Sequence, residues 1–395
     1  MAWTALSGLA PVYPLYALLF LDTGLSQAQV SALFALWSVT GLLAEVPTGV
    51  LADRWSRRGS LVLAGVLEAA GFVLWTIAPG LPGFAAGFVV WGIGGALVSG
   101  AGEALVYDGL AAVGAEGSYV RVHGATTATE LLVQVPTALL AGVLVGVGGY
   151  ELVGWVSVVT CLAAAALATR FPEPPRTPDD EPEAPLRTAV GTALRRPGVL
   201  LAVAAVALLG GLDAIEEYFP VMAREQGVPT GLVPAAVLLV ALAGAVGAAL
   251  AGRAARLPSR ALPGLLLLSA VLLAAGALAA GPAAVVAVAV SYGLYLAVLV
   301  VGEARLQEQL PGSVRATVTS VAGLGIEASA LLVFGAWALG GALAVAVLFA
   351  AWALGGAPAV AVLFAVVVPV VARGLARPVV GRRRDGAPPG REPSA

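Results

Sequence analysis

Gly49-Val-Leu-Ala-Asp-Arg-Trp-Ser-Arg-Arg-Gly59 is a short basic loop wedged between two long apolar runs. A fainter copy, Ala249-Leu-Ala-Gly-Arg-Ala-Ala-Arg256, follows another apolar run about half a chain length later. Two more pairs align at nearly the same offset. Gly102-Glu103-Ala104 answers to Gly302-Glu303-Ala304, and Glu130 answers to Glu327. Three matches in the same order are what two fused copies of one helical bundle leave behind.

The composition fits that reading. The 395 residues are 59% hydrophobic and 11% charged, with a mean hydropathy of +0.95. Soluble domains carry about 25% charged residues, so this chain lacks the polar surface of one. Apolar runs of spanning length recur from end to end, and no segments of alternating polarity suggest a β-barrel. The N-terminus has no basic n-region and reads as a first span, not a cleaved signal. Single residues of cysteine (Cys161) and histidine (His123) leave no intrachain disulfide and no zinc ligand set.

Twelve spans are expected, at about 5–21, 28–51, 61–78, 84–106, 120–145 and 152–168, then 199–222, 232–251, 261–280, 283–302, 317–339 and 358–372. The fold class is therefore an all-α integral membrane protein of two pseudo-symmetric six-helix bundles, 1–170 and 198–374. A linker at 171–197, rich in Pro, Asp, Glu and Arg, joins them, and a disordered tail follows at 375–395. Arg54, Arg57, Arg58, Arg121, Arg170, Arg195, Arg196, Arg253, Arg256, Arg260, Arg305, Arg315, Arg373, Arg377 and Arg382 to Arg384 fall on one side. Only Arg224 falls on the other. By the positive-inside rule the arginine-rich side, with both termini, is cytoplasmic. Residues 336–350 and 351–365 are a tandem duplication, identical except that Pro358 replaces Leu343. Fifteen helical residues cover about 22 Å, too short to span. Residues 342–354 are accordingly expected as an extension or partial hairpin at the outer face.

The pattern Gly-x-Leu-Ala-Asp-Arg-x-x-Arg-Arg resembles the loop between helices 2 and 3 of the major facilitator superfamily of secondary transporters. Ala44-Glu45-Val-Pro-Thr-Gly49 and Ser99-Gly-Ala-Gly-Glu103-Ala-Leu-Val-Tyr107-Asp108 resemble a branch of bacterial permeases grouped with drug exporters. The resemblance implies alternating access around a midplane site. It also implies a conformational latch between the two bundles, made here by Gly49, Asp53, Arg54, Arg57 and Arg58. Gly252 stands where a second-half copy of Asp53 would be. Span 4 lacks the arginine usual in drug/proton antiporters, and Val135-Pro136-Thr-Ala-Leu-Leu-Ala-Gly142 replaces their span 5 signature.

Seven carboxylates are candidates for proton coupling or substrate binding: Glu45, Glu103, Glu130, Asp213, Glu216, Glu217 and Glu327. Glu130 and Glu327 fall about ten residues inside their spans, about 15 Å deep, where a carboxylate is either protonated or faces a wet cavity. Asp213, Glu216 and Glu217 share one face of span 7, and with Asp22 they are expected to make an outer mouth that attracts cations. Glu68 in span 3 reads as structural, and Trp37 and Trp91 as packing residues.

The leading expectation is a proton-coupled exporter of a small, possibly cationic, organic solute in a bacterial inner membrane. The chain is expected to be a monomer surrounded by lipid, with protons and the solute as partners. No enzyme activity, metal, cofactor or nucleic acid is expected, and no phosphate loop offers ATP drive. A facilitator or importer on the same fold, and a lipid scramblase or scaffold, are the alternatives.

Overall fold

The computed structural model describes residues 1–173, 197–258, 261–309 and 315–354. Among these, all regular structure is helical, as backbone groups facing lipid require. The first crossing is broken. α1 (Ala2–Gly8) and α2 (Tyr16–Asp22) are separated by Pro11 and Pro14, whose rings cannot continue an α-helical ladder. Two side chains satisfy the freed backbone. The Thr137 hydroxyl donates to the Gly8 carbonyl at 3.1 Å, and Ser157 Oγ accepts from the Val12 N–H at 3.1 Å.

α3 (Gln27–Arg54) opens on a capping box in which Ser26 and Gln29 satisfy one another's backbone N–H groups. Ser56 then caps α4 (Arg57–Ile77) by accepting from the Gly59 N–H at 2.7 Å. The basic loop is therefore a tight cap-to-cap link. α5 (Leu81–Ala111) crosses back. α6 (Tyr119–Ala168) doubles back at Gly148–Gly149, where Gly149 takes φ 62° and ψ −163°. Its arms, 119–147 and 150–168, are the fifth and sixth crossings.

In the second half the first crossing is again interrupted, as α7 (Pro197–Gly211), a 3-10 stretch (Leu212–Tyr218) and α8 (Phe219–Glu225). α9 (Val233–Ala254), α10 (Ala261–Leu278) and α11 (Pro282–Gln309) follow. α12 (Arg315–Leu354) doubles back at Gly340–Gly341, with Gly341 at φ 57° and ψ −150°. The same glycine break thus ends the fifth crossing of each half. Among the described residues eight helices are long and apolar enough to span a membrane, and two of these, α6 and α12, double back.

That second reversal corrects the outer-face expectation for 342–354. These residues run back into the bundle: Val345 and Phe349 are buried, and the Phe349 ring lies 5.2 Å from that of Tyr295, well inside α11. Gly340–Gly341 is a complete turn, so the first copy of the duplication starts a returning helix and is not surplus. The expected span at 358–372, the second copy beyond Leu354, the tail and most of the linker lie outside the described residues.

Packing follows small residues, as between helices in lipid. α9 and α11 cross so closely that a Cβ on Gly247 would collide with the Gly293 backbone. The first half is instead cored by rings: Trp75 is buried against Phe20, Phe72 and Phe88 and donates to the Phe84 carbonyl at 3.1 Å. Trp37 and Trp91 stack at 5.3 Å on the edge of this cluster.

Candidate functional site

On the side away from the basic loop, the halves are fastened together. Asp22 at the end of α2 forms an ion pair with Arg224 of α8 and accepts from the Tyr150 hydroxyl at 2.6 Å. Gln27 donates to Glu225 at 2.8 Å. One turn deeper, the Ser31 and Tyr218 hydroxyls share a 2.7 Å hydrogen bond, and Tyr218 stacks on Trp337 at 4.0 Å. A Cβ on Gly142 would come within 2.6 Å of the Gly231 carbonyl, so α6 also meets the second half here.

Deeper still, Ser38 Oγ donates to Glu327 Oε2 at 3.2 Å. Among the described residues this is the last hydrogen bond between the halves on the way to the arginine-rich side. Beyond it the walls part. Leu43 and Val46 on α3 are 71% and 66% exposed, and a Cβ on Gly49, Gly102, Gly124, Gly252 or Gly323 would touch nothing. The molecule is closed on the side away from the basic loop and open toward the arginine-rich side. Gly49, expected as part of the latch, borders open space at this end.

Carboxylates line the bottom of the cleft. Glu45 accepts from Ser99 Oγ at 2.9 Å, and it lies within electrostatic reach of Glu327 across the cleft. The span 7 cluster sits in the 3-10 stretch, which turns once per three residues, not 3.6. Asp213 and Glu216 therefore stand one above the other, with Asp213 accepting from the Tyr292 hydroxyl at 3.0 Å. Glu217 is rotated away from them and interacts electrostatically with Glu327. The expected outer mouth is corrected on both counts. Asp22 is neutralised by Arg224, and the cluster lies beneath the fastened outer gate.

The basic loop is engaged within its own half. Arg57 pairs with Asp108 of α5 and donates to the Ala104 carbonyl at 3.3 Å. Arg58 lies 3.8 Å from Glu173, whose carboxylate also accepts from Ser56 Oγ at 2.7 Å and the Arg57 N–H at 2.9 Å. Arg54 is exposed at the end of α3, and the Asp53 side chain lies outside the described residues. Glu103 is exposed near Tyr119.

Glu130 does not share the setting of its half-chain counterpart. It lines a cavity of about 320 Å3 inside the first half, together with Glu68, Tyr13, Gln134 and the last turn of α1. Glu68, expected as structural, also lines this cavity. Ser31, Ser38 and Ser99 were passed over in the sequence. A signal was present: Ser31, Ser38 and Glu45 recur every seven residues, a polar seam along one side of α3.

The Major Facilitator Superfamily profile matches residues 1–333, and the chain belongs to that family. The fold is shared with solved transporters of low identity. A D-xylose–proton symporter superposes with a TM-score of 0.67 at 16% identity, covering 90% of this chain and 95% of that one. A bacterial homologue of the human lysosomal transporter Spinster, inward-facing and unoccupied, gives 0.69 at 16% identity, covering 94% of each. A nucleoside transporter gives 0.70 at 11% identity, covering 94% and 98%. No curated protein matches the sequence significantly. The chain is a multi-pass membrane transporter.

Proposed function

We propose that the protein is a proton-coupled exporter of a small organic cation, with the arginine-rich face in the cytoplasm. The observation that carries this reading is Glu327 at the bottom of the cleft. It touches Ser38 of the opposite half and sits within electrostatic reach of Glu45 and Glu217. Among the described residues no arginine pairs with any of these three. Like charges repel strongly where water is scarce, so Glu45 on one wall and Glu327 on the other favour an open cleft. Neutralisation by a proton, or by a cationic solute, removes that repulsion and lets the walls approach. The outer fastenings then release. A proton and a cation that compete for one set of carboxylates are carried in opposite directions, which is exchange.

The test is transport in proteoliposomes under an imposed pH gradient. Wild type should move an organic cation against its gradient, and an uncoupler should abolish that movement. Glu327→Gln should keep exchange at equal concentrations but lose the gradient-driven component. Unchanged gradient-driven transport in Glu327→Gln would remove Glu327 from coupling.

A further inference from the structure

The cavity inside the first half is separate from the cleft between the halves, and the exchange scheme above makes no use of it. Its wall includes Trp3, Ser7 and Gly8 of α1, Tyr13 of the broken segment, Glu68 of α4, Val98 of α5, and Glu130 and Gln134 of α6. Glu68 is partly buried within the bundle. Its stem packs so tightly on α5 that a Cβ on Gly94 would lie 3.2 Å from Glu68 Cγ. Among the described residues its carboxylate accepts no hydrogen bond and meets no arginine, and the same holds for Glu130. Two carboxylates that line one cavity at membrane depth with no arginine beside them call for a cation.

The size and lining select the kind of cation. About 320 Å3 is the room of a small-molecule pocket, and roughly ten waters' worth of space is far too much for one bare ion. Among the described residues no group of three or more His, Cys, Asp or Glu side chains has the arrangement to hold a metal. Two aromatic side chains, Trp3 and Tyr13, line the same wall as the carboxylates, and ring faces with carboxylates are the usual setting for an ammonium group. We propose that this cavity binds a small organic ammonium ion within the first half. The proposal rests on the cationic-solute reading and adds a second station for that solute, which enters past the exposed Glu130.

The test is equilibrium binding of radiolabelled benzyltrimethylammonium, a permanent cation bearing one ring, to the purified full-length protein in detergent. Glu68→Gln should weaken binding by about tenfold or more, the loss of one charge contact worth about 1.4 kcal/mol. Glu68→Asp, which keeps the charge, should retain most of it. Val98→Phe, which fills the cavity and leaves both carboxylates in place, should remove the same share of binding. Glu327→Gln, which alters the cleft, should keep the share of binding that Glu68→Gln removes. Each variant is checked for an unchanged elution volume and melting temperature, and the Glu68→Asp against Glu68→Gln contrast stands even if Val98→Phe misfolds. Binding lost in Glu327→Gln but kept in Glu68→Gln and Val98→Phe would overturn the proposal and leave the cleft reading intact. Absence of binding to wild type at millimolar probe would also overturn it, while gradient-driven transport would still decide the cleft reading separately.

Discussion

At the scale of single residues, the outer gate turns on one exposed ion pair and a few hydroxyls. Asp22 and Arg224 are 40% and 32% exposed at their side chains, so their pairing contributes at most about 1 kcal/mol. Asp22→Asn should therefore shift the population toward outside-open by no more than about fivefold. A cysteine at Phe34, packed against Phe334 beneath the gate, should react correspondingly faster with an impermeant thiol reagent added outside. A change of a hundredfold would mean that the pair does more than an exposed pair can. Asp53 belongs to the same scale. Asp53→Asn should impair transport while membrane insertion stays normal, since the arginines that set topology remain. Wild-type transport by this variant in proteoliposomes would dismiss the latch. In this open state Arg57 pairs with Asp108 and Arg58 lies beside Glu173.

At the scale of elements, the two glycine reversals carry the largest local demand. Gly149 and Gly341 both hold φ near +60° with an extended ψ, a region essentially reserved for glycine. Gly149→Ala or Gly341→Ala should each cost about 1–3 kcal/mol, read as a fall in melting temperature in detergent. A substitution at Gly335 on the same helix, where a Cβ meets nothing, should leave stability unchanged. Equal melting of Gly341→Ala and Gly335→Ala would contradict the reversal. The 3-10 stretch of span 7 is the other element with functional weight. It turns Glu217 toward Glu327 while Asp213 and Glu216 face Tyr292, a split that a continuous α-helix would not make.

At the scale of the whole molecule, the closed outer side and open arginine-rich side define one of the two states that alternating access requires. The return of 342–354 into the bundle bears on topology. With the sixth crossing of the second half begun there, the tail should emerge on the same side as the linker. Cysteines placed at Arg384 and in the linker at Glu183 should share accessibility from one side only. Labelling of the two positions from opposite sides would refute the arrangement.

The sequence by itself determined the class. Apolar runs of spanning length, the basic loop with its half-length copy and the one-sided arginines depend only on composition and order, because lipid forces each run to satisfy its own backbone. It also marked Glu327 and the span 7 carboxylates as costly residues in need of a reason. Tertiary structure decided which of them meet. Asp22 could not be paired with Arg224 from sequence, nor Ser38 with Glu327, because each pair joins helices from different halves and depends on how the halves are tilted. Glu68 and Glu130 were brought to one cavity only by the packing of α1, α4 and α6. The span 7 cluster had the right residues and the wrong geometry, since a change from 3.6 to three residues per turn leaves no mark on hydrophobic periodicity over one short stretch. The return at Gly340–Gly341 was equally hidden: a glycine pair in an apolar run reads alike whether the helix bends, stops or turns back, and only packing against α11 selects the turn.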